Sequence, residues 1–375
     1  MNVLFCLDIT FSPRNGGIAN ASITTAKGLE ALGHHCFFIS AYKNTETVVD
    51  NQYFLPQQKR NSSNNKKWYS DFLIDKQIDV VINQMGTSPY SLWPIEWSKN
   101  KNVKIITVYH SSLAGLYSFK KASVDNPVIK HLLDKLYNRL FRIKYGKYYK
   151  KQVELSDEVV TLSKKHFPEL AWFSKTKQNN KYVSIPNAIN VGDLSLAKST
   201  DKINEVLFVG RMSSEKQPNL LVDIWELIEN EFPNWKLTFV GDGDELPQIK
   251  KMVNDKGLQH VNFVGYQVPW EYYRRAKIFC LTSVSEGFGL VLAEAMKFGT
   301  VPVAFNSFVN ITEIIDDKIS GCLVPPFSIQ KFADVLRKLM SDEPFRERMS
   351  AQAKIKAEDF SLEKIAKLWN ELITN

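Results

Sequence analysis

The strongest constraint on the fold is an alternation of short apolar runs with amphipathic stretches of helix length, repeated along the chain of 375 residues. This alternation is typical of α/β proteins, in which helices cover the faces of a parallel sheet. In the first half, the predicted strands are residues 3–9, 36–40, 79–83, 103–109, 158–162 and 183–186. The pattern therefore predicts one α/β domain over residues 1–187.

The second half restarts the same pattern. Its predicted strands are residues 206–209, 236–240, 261–263, 278–281, 301–304 and 321–324, and residues 329–374 are mostly helical in pattern. We therefore predict two Rossmann-like domains, residues 1–187 and 188–355, facing each other across a cleft, with a hinge near residues 187–202. Ligands of such sheets bind beyond the carboxyl ends of the strands. A polar stretch at residues 59–67 is predicted to be an exposed loop.

Composition indicates the class of protein and the compartment in which it works. With 44% hydrophobic and 23% charged residues, the chain is typical of a globular protein rather than a disordered or fibrous one. No apolar run reaches about 18 residues, and Met1 leads directly into a strand, so we expect neither a membrane span nor a cleaved signal peptide. The four cysteines form no CxxC pair, which favours reduced, buried thiols in a cytoplasmic protein.

The most informative segment is residues 285–295, which read SEGFGLVLAEA. Glu286 and Glu294 lie eight residues apart on either side of a Gly-Phe-Gly turn, between a predicted strand and a predicted helix. Such a turn presents unpaired N–H groups and the positive end of the helix dipole, which suit a phosphate. Carboxylates accept strong hydrogen bonds from sugar hydroxyls. The segment therefore predicts a nucleotide-sugar site.

Two further strand-end loops in the second half carry candidate chemistry. Arg211 and Lys216, in the run GRMSSEK, could clamp a diphosphate and stabilise it as a leaving group, or could simply be solvated surface cations. A glycine loop, VGDGDE, follows at residues 240–245. Its Asp242 and Asp244 could suggest a metal, but the same residues are equally good turn formers.

The first half offers two candidates of its own. Gly16 and Gly17 precede a predicted helix, where they permit close backbone approach to a ligand or form a tight turn. His110 directly follows the apolar run 103–109, so it is expected at the mouth of the first sheet. There a histidine could donate to a sugar or phosphate oxygen, or could be structural.

Taken together, these motifs resemble the retaining glycosyltransferases of family 4, which have the two-domain GT-B fold. The resemblance covers most of the chain and is most specific at Glu286 and Glu294, because the family signature is two glutamates separated by seven residues. The matching positions are residues 13–18, 32–34, 110, 160–163, 186–187, 210–216, 240–243, 263–265, 286–296 and 299–304. The chain departs from the family after Lys216, where Gln217 and Pro218 stand in place of a frequent glycine.

The resemblance implies roles for four charged residues of the second half. Arg211 and Lys216 would hold the donor diphosphate and offset charge on the departing nucleotide. Glu294 would bind the ribose hydroxyls, and Glu286 would contact the donor sugar.

The resemblance also implies a set of backbone contacts. Phe288, Gly289 and Leu290 would place amides on the sugar and the β-phosphate, and Gly241 and Tyr266 would line the nucleotide.

Four further residues and the last helix carry implied roles. Gly210 would lie beside the donor phosphates. From the first domain, His110 would approach the donor sugar, and Gly16 with Gly17 would pack against the diphosphate. The C-terminal helix, residues 356–375, would cross back to the first domain.

The implied activity is retaining transfer of a hexose or N-acetylhexosamine from a nucleotide sugar, UDP being the commonest carrier in the family. The acceptor would be a glycan or a lipid-linked acceptor in bacterial surface polysaccharide synthesis. No cofactor and no catalytic metal are expected. Two alternatives stay open: a nucleotide-sugar epimerase of the same fold, and a catalytically inactive binding subunit.

The positive charge lies in the first half. Residues 1–187 hold 26 Lys and Arg against 14 Asp and Glu, whereas residues 188–375 hold 22 against 26. From Lys135 to Lys151 there are seven cations, five interleaved aromatic residues and no acidic residue. This pattern predicts either peripheral contact with an anionic membrane, on the inner face of the plasma membrane, or a solvated helix with its aromatic residues in the core. No nucleic-acid-binding module accompanies the charge, so nucleic acid is not expected as a partner.

Overall fold

The structure is a computed structural model that describes residues 1–12, 15–114, 127–191 and 201–375. These residues form two compact units. Unit 1 comprises Met1–Ala188 and Leu362–Asn375, and unit 2 comprises Ile189–Ser361. Pro13 and Arg14, which belong to the predicted glycine turn, and residues 192–200 of the predicted hinge lie outside the described residues.

Unit 1 contains a seven-stranded sheet in which the paired strands are parallel. Its strands are β1 (Asn2–Leu7), β2 (His35–Ser40), β3 (Gln52–Phe54), β4 (Val80–Asn83), β5 (Lys104–Tyr109), β6 (Glu158–Thr161) and β7 (Tyr182–Ser184). They lie in the order β3-β2-β1-β4-β5-β6-β7. The central strands β1, β4 and β5 are buried along nearly their whole length. Their continuous apolar runs are typical of strands in a sheet that is covered on both faces. The six predicted strands of this half are confirmed, and β3 is additional.

Unit 2 contains a six-stranded parallel sheet. Its strands are β8 (Ile203–Val209), β9 (Lys236–Val240), β10 (Val261–Phe263), β11 (Ala276–Leu281), β12 (Val301–Phe305) and β13 (Cys322–Val324). Their order is β10-β9-β8-β11-β12-β13, so the chain reverses direction across the sheet between β8 and β11. Unit 1 reverses in the same way between β1 and β4. Such reversal points open a crevice at the carboxyl edge of a sheet.

Helices connect these strands. In chain order they are α1 (Gly17–Ala31), α2 (Ser63–Asp75), α3 (Trp93–Ser98), α4 (Pro127–Leu155), α5 (Phe167–Ser174), α6 (Pro218–Glu226), α7 (Leu246–Asp255), α8 (Trp270–Arg275), α9 (Leu290–Lys297), α10 (Ile311–Ile314), α11 (Ile329–Ser341), α12 (Glu343–Ala357) and α13 (Leu362–Thr374). Short 3₁₀ turns occur at Lys164–His166, Glu229–Glu231 and Glu358–Phe360. Among the described helices, none combines the length and the apolar character needed to cross a bilayer.

The last helix, α13, is part of unit 1. Ile365 and Trp369 are buried in the same hydrophobic core as strand β1. The ring nitrogen Nε2 of His34 lies 2.7 Å from Oδ1 of Asn370, and Nζ of Lys104 donates to the carbonyl of Leu372 at 2.5 Å. Both polar contacts link α13 to the sheet side of unit 1.

The prediction of an exposed loop at residues 59–67 is wrong in part, because α2 begins at Ser63. Ser62 caps this helix, and its hydroxyl accepts from the amide of Asn65 at 3.1 Å. Asn65 is fully buried and donates to the carbonyl of Gln57. The hydroxyl of Ser62 thus satisfies the helix start and Asn65 holds the preceding loop, whereas the lysines of the stretch are exposed, as predicted.

The four cysteines are confirmed as free, buried thiols. Burial raises the pKa of Cys280 well above its ordinary value, because the thiolate would lose its hydration in the core.

Candidate functional site

Two loops meet at the reversal point of the unit 2 sheet. One follows β8 and the other follows β11. The amide of Val284 donates to the carbonyl of Glu215 at 2.9 Å, and the hydroxyl of Thr282 donates to the carbonyl of Lys216 at 2.9 Å. The loops that carry the motifs GRMSSEK and SEGFG, about 70 residues apart in sequence, are therefore bonded to each other.

The two loops share an ion pair. Nζ of Lys216 lies 2.5 Å from Oε1 of Glu286, and the hydroxyl of Ser283 donates to the same oxygen at 2.7 Å. The side chains of Lys216 and Glu286 are only 22% and 9% exposed, so solvent screens this pair less than an ordinary surface pair. The other carboxylate oxygen, Oε2, has no donor among the described residues and can accept from a ligand.

Glu294 lies on α9 and is half-buried. The hydroxyl of Tyr273, a fully buried residue, donates to its Oε2 at 3.2 Å. Burial raises the pKa of Glu294 to about 7, because the ionised carboxylate loses hydration that a single tyrosine hydroxyl replaces only in part. Near neutral pH this side chain can therefore either accept or donate a hydrogen bond.

The Gly-Phe-Gly turn exposes backbone amides at the start of α9. Gly289 caps the helix with φ of 86°, a conformation that disfavours any side chain. Phe288 is buried against Phe360, with ring centroids 5.5 Å apart, and this contact anchors the turn. Within the described chain, the N–H groups of Gly289, Leu290 and Val291 have no acceptor. The turn is therefore a ready binding site for an anion.

The loops after β8, β9 and β10 are joined through their glycines. The amide of Gly210 donates to the carbonyl of Val240 at 3.0 Å, and the amide of Gly241 donates to the carbonyl of Gly265 at 2.8 Å. Gly241 has φ of 139°, and a Cβ there would lie 1.9 Å from the carbonyl oxygen of Gly210. Only glycine permits this contact.

Two predicted site residues project from these joined loops. Arg211 and Tyr266 are exposed. Arg211 makes no ion pair with any residue that the structure describes, so its five N–H donors are available to a ligand.

Asp242 of the β9 loop takes part in turn formation. Oδ1 of Asp242 accepts from the amide of Gly243 at 2.8 Å. Among the described residues, no group of three or more His, Cys, Asp or Glu side chains is arranged to hold a metal ion.

His110 lies at the carboxyl end of β5 and is buried. Its Nε2 lies 2.6 Å from Oε1 of Gln84, and since that oxygen can only accept, the ring donates through Nε2. Burial lowers the pKa of His110 to about 4, so the ring is neutral and its Nδ1 is an acceptor. Nδ1 is buried with no partner among the described residues.

Gly16 and Gly17 stand at the start of α1, beyond the carboxyl end of β1. Gly16 has φ of 91° and caps the helix. A Cβ at either position would meet no atom within 4 Å. His110 and these glycines thus occupy the same edge of the unit 1 sheet.

The structure adds four residues that were not predicted. Gln84 bonds His110, Ser283 bonds Glu286, Tyr273 bonds Glu294, and Asn310 donates to the carbonyl of Gly287 at 2.8 Å. Gln84 and Ser283 come just after predicted strands, so the reasoning that selected His110 could have found them. Tyr273 and Asn310 carry no local signal.

The sequence is similar to those of known glycosyltransferases. Residues 196–356 match the family model of glycosyl transferases group 1. An uncharacterized glycosyltransferase of Haemophilus influenzae is 28% identical over 374 residues, which cover 96% of each chain. The amylovoran biosynthesis glycosyltransferase AmsD of Erwinia amylovora is 32% identical over 191 residues, covering 50% of this chain and 52% of that one.

A third relative has a defined acceptor. It is the Campylobacter jejuni enzyme named as the α-1,4-N-acetyl-D-galactosaminyltransferase of a diphosphoundecaprenol-linked GalNAc-containing glycan, and it is 30% identical over 183 residues. These residues cover 48% of this chain and 51% of that one.

The fold is that of the GT-B glycosyltransferases. Anabaena HepE in complex with UDP superimposes with a TM-score of 0.76 at 15% identity, with complete coverage of both chains. The pneumococcal O-GlcNAc transferase GtfA, in complex with UDP and GlcNAc, gives a TM-score of 0.75 at 15% identity, covering 100% of this chain and 98% of that one.

Proposed function

We propose, from a group 1 glycosyltransferase domain at residues 196–356 within a GT-B fold, that this chain is a retaining glycosyltransferase of family 4. It moves a hexose or N-acetylhexosamine from a UDP-linked donor to a glycan or lipid-linked acceptor in bacterial surface polysaccharide synthesis. The observation that carries the proposal is the Lys216–Glu286 ion pair beside the unpaired amides of α9. The amylovoran biosynthesis glycosyltransferase and the undecaprenol-linked Campylobacter substrate support the substrate class.

In this proposal, cations and helix amides hold the donor diphosphate. An ammonium group has three donors, so Lys216 can keep Glu286 and still donate to a phosphate oxygen. Arg211 offers a planar fork that matches a phosphate. The amides at the start of α9 add fixed dipoles aimed at the same anion. Together these groups stabilise charge on the departing UDP, which makes a catalytic metal or other cofactor unnecessary.

The two glutamates have different partners and therefore different roles. Glu294, held by Tyr273, accepts from the ribose hydroxyls of the nucleotide. Glu286 accepts from a hydroxyl of the donor sugar through Oε2, while Oε1 stays with Lys216 and Ser283.

In the proposed reaction, the acceptor hydroxyl attacks the anomeric carbon from the face of the leaving group. The new glycosidic bond forms as the bond to the phosphate oxygen breaks. The hydroxyl proton passes to that phosphate oxygen, so no protein base is required.

His110 is proposed to contact the donor sugar, with one change to the predicted chemistry. Because Nε2 already donates to Gln84, the ring offers Nδ1 to a ligand. His110 would therefore accept from a sugar hydroxyl, whereas the sequence suggested that it donates.

We also propose that the protein works in the cytoplasm, on the inner face of the plasma membrane, which it contacts through α4. Leu136, Leu140 and Ile143 are 53%, 53% and 75% exposed, and their spacing puts them on one face of the helix. The basic residues from Lys135 to Lys151 flank this apolar stripe. Exposed aliphatic side chains flanked by cations suit the surface of an anionic bilayer. The alternative of a solvated helix places the aromatic residues of this segment in the core. Phe141 and Tyr149 are indeed buried there, whereas Tyr137 is exposed.

The direct test is transfer from a panel of nucleotide sugars by the wild type, Arg211→Ala and Glu294→Ala. Arg348→Ala is the matched control, because Arg348 is an exposed arginine on α12. We expect loss of transfer in the first two variants and wild-type rates in the control. Wild-type rates in all three variants would contradict the site. Conversion of the donor to its epimer without acceptor would indicate the epimerase alternative, and absence of nucleotide binding in calorimetry would indicate an inactive subunit.

A further inference from the structure

Unit 1 contains a cavity of about 400 Å³ between helices α4 and α5. Its polar lining consists of Lys135, Asn138, Arg139 and Glu169, and Trp172 forms an aromatic wall. This volume is within the range of small-molecule sites, and an aromatic wall with a few convergent polar groups is the usual composition of such sites. None of these residues takes part in the donor site proposed above.

The cavity lies at the carboxyl edge of the unit 1 sheet. Ser156 bonds Thr107 at 2.7 Å, and Gln152 bonds Tyr109 at 2.7 Å, so α4 approaches the end of β5 as its residue numbers fall. At a rise of about 1.5 Å per residue, Arg139 lies well beyond that end. The cavity is thus on the same edge as His110.

Glu169 connects the cavity to the loop that begins at His110. Its two carboxylate oxygens accept from the hydroxyl of Ser112 at 2.8 Å and from the amide of Ala114 at 2.7 Å. These bonds fix the loop after β5 and occupy the carboxylate. A ligand in the cavity would therefore contact Glu169, the residue that fixes the loop after His110.

The remaining charge in the cavity is positive. Lys135 and Arg139 lie four residues apart on one face of α4, both are exposed, and neither makes an ion pair with a described residue. Two cations at this spacing repel each other and destabilise a helix slightly. A bound anion would remove this repulsion and would gain charge-assisted hydrogen bonds.

The aromatic wall defines the rest of the ligand. The guanidinium of Arg142 lies 4.6 Å from the ring centre of Trp172 and holds the ring in place. The indole is 39% exposed, so part of it is open to a flat, partly apolar group such as a sugar ring. Asn138 can donate to and accept from sugar hydroxyls.

We propose that this cavity binds the phosphate-bearing end of the acceptor, with Lys135 and Arg139 on the phosphate and Trp172 against the adjoining sugar. The proposal rests on the glycosyltransferase function proposed above. The phosphate could belong to a soluble glycosyl phosphate or to a lipid-linked diphosphate. The second source fits the position of the apolar stripe Leu136, Leu140 and Ile143, which lies one residue, about 100°, further round the same helix.

The first experiment is calorimetry with N-acetylglucosamine 1-phosphate in the presence of saturating UDP, which keeps the probe out of the donor site. N-acetylglucosamine is the neutral control ligand. We expect wild-type protein to bind the phosphate at least tenfold more tightly than the neutral sugar, and Arg139→Gln or Lys135→Gln to raise Kd about tenfold. Lys147→Gln, on the same helix outside the cavity, should stay within about twofold. Equal affinity for both ligands, no binding by the wild type, or equal loss in Lys147→Gln would overturn the proposal.

The second experiment separates the two sources of phosphate. Transfer is measured to a polyprenyl diphosphate sugar in phosphatidylcholine vesicles and, separately, to the soluble sugar phosphate. A lipid-linked acceptor predicts that Arg139→Gln raises KM for the vesicle acceptor, whereas a soluble acceptor predicts the same change only with the free sugar phosphate. KM unchanged with both acceptors would also contradict the proposal.

Donor hydrolysis without acceptor is the internal control. Arg139→Gln should hydrolyse UDP-sugar at the wild-type rate. If the wild type neither binds nor hydrolyses any nucleotide sugar, the proposed function fails. If it does so and the cavity variants leave acceptor binding unchanged, only the cavity assignment fails.

Discussion

The carboxyl edges of the two sheets are built on the same topology but present different groups to a ligand. Each sheet reverses its strand order beside its first strand, β1 in unit 1 and β8 in unit 2. In unit 2 the loops at this edge are bonded through backbone groups and glycines, and they present amides and one ion pair. In unit 1 the corresponding loops are also bonded through backbone groups, such as the amide of Gly86 on the carbonyl of Val108, but they present side-chain groups, such as Nδ1 of His110.

This difference suits two kinds of ligand. Backbone amides recognise a diphosphate whatever sugar it carries, so the unit 2 edge suits a nucleotide donor. Side chains can change without altering the fold, so the unit 1 edge suits an acceptor that differs between enzymes. The following predictions test this contrast, from the largest expected effect to the smallest.

The largest effect is expected for Lys216→Ala. Removing the ammonium takes away a donor to the leaving diphosphate and leaves Glu286 with Ser283 alone. Since loss of one preorganised donor costs about 10²–10³ in kcat, we expect a decrease of that order. Steady-state transfer assays measure it, with Lys251→Ala on the exposed face of α7 as the control. A decrease below tenfold would show that the unit 2 edge does not depend on this cation.

Gly241→Ala should destabilise unit 2. The new methyl would lie 1.9 Å from the carbonyl oxygen of Gly210, at a φ of 139°. We expect a loss of about 3 kcal/mol in unfolding free energy, because both the clash and the backbone strain oppose folding. Gly257→Ala is the matched control, since it also has positive φ but meets no atom within 4 Å, and should cost about 1 kcal/mol. Similar melting temperatures for both variants would contradict the close packing of the loops.

Glu294 should make donor affinity depend on pH. Its pKa is raised to about 7, so the carboxylate needed for the ribose hydroxyls is lost as pH falls from 8 to 6. Affinity for UDP-glucose, whose diphosphate does not titrate in this range, should fall about tenfold over this interval, and Glu294→Gln should remove the dependence. Calorimetry at several pH values measures it.

The raised pKa of Glu294 affects folding stability in the opposite direction: donor affinity falls at low pH, whereas stability falls at high pH. Because the folded protein favours the protonated carboxyl, the contribution of Glu294 to stability is present below its unfolded pKa and is lost as pH rises toward about 7. Melting temperature should therefore depend less on pH in Glu294→Gln than in the wild type. A steeper dependence of melting temperature on pH in the variant would contradict burial as the cause of the raised pKa of Glu294.

The smallest effect concerns the apolar stripe of α4. Ile143→Ser should reduce co-sedimentation with phosphatidylglycerol-containing liposomes about fivefold, because roughly 1 kcal/mol of apolar contact is lost. Ile74→Ser is the matched control, since Ile74 on α2 is exposed to a similar extent, 70% against 75%. Equal liposome binding by both variants would contradict a role for the apolar stripe in membrane contact.

Neutralising the cations of the same helix gives a second measure. Lys150 and Lys151 are already paired with Glu154 and Glu96. The reduction in liposome binding should therefore come mainly from Lys144 and Lys147. A larger effect from neutralising the paired lysines would contradict this distinction.

The sequence by itself determined the order of all strands except β3, because apolar periodicity reflects which faces are buried. It also located the turn with unpaired amides at Gly289, since a strand that passes through glycines into a helix leaves amides unpaired whatever surrounds it. The loop predicted at residues 59–67 was wrong in part, because Ser62 caps a helix and Asn65 holds the loop before it, and their polarity resembles that of a solvated loop.

Only the tertiary structure decided which side chains meet. Lys216 pairs with Glu286, and Glu294 receives the hydroxyl of Tyr273, because parallel strands distant in sequence end side by side. The cavity lined by Arg139 and Glu169 likewise exists only because α4 extends past the sheet and packs against α5. Such contacts depend on long-range packing, for which a local sequence pattern carries no signal.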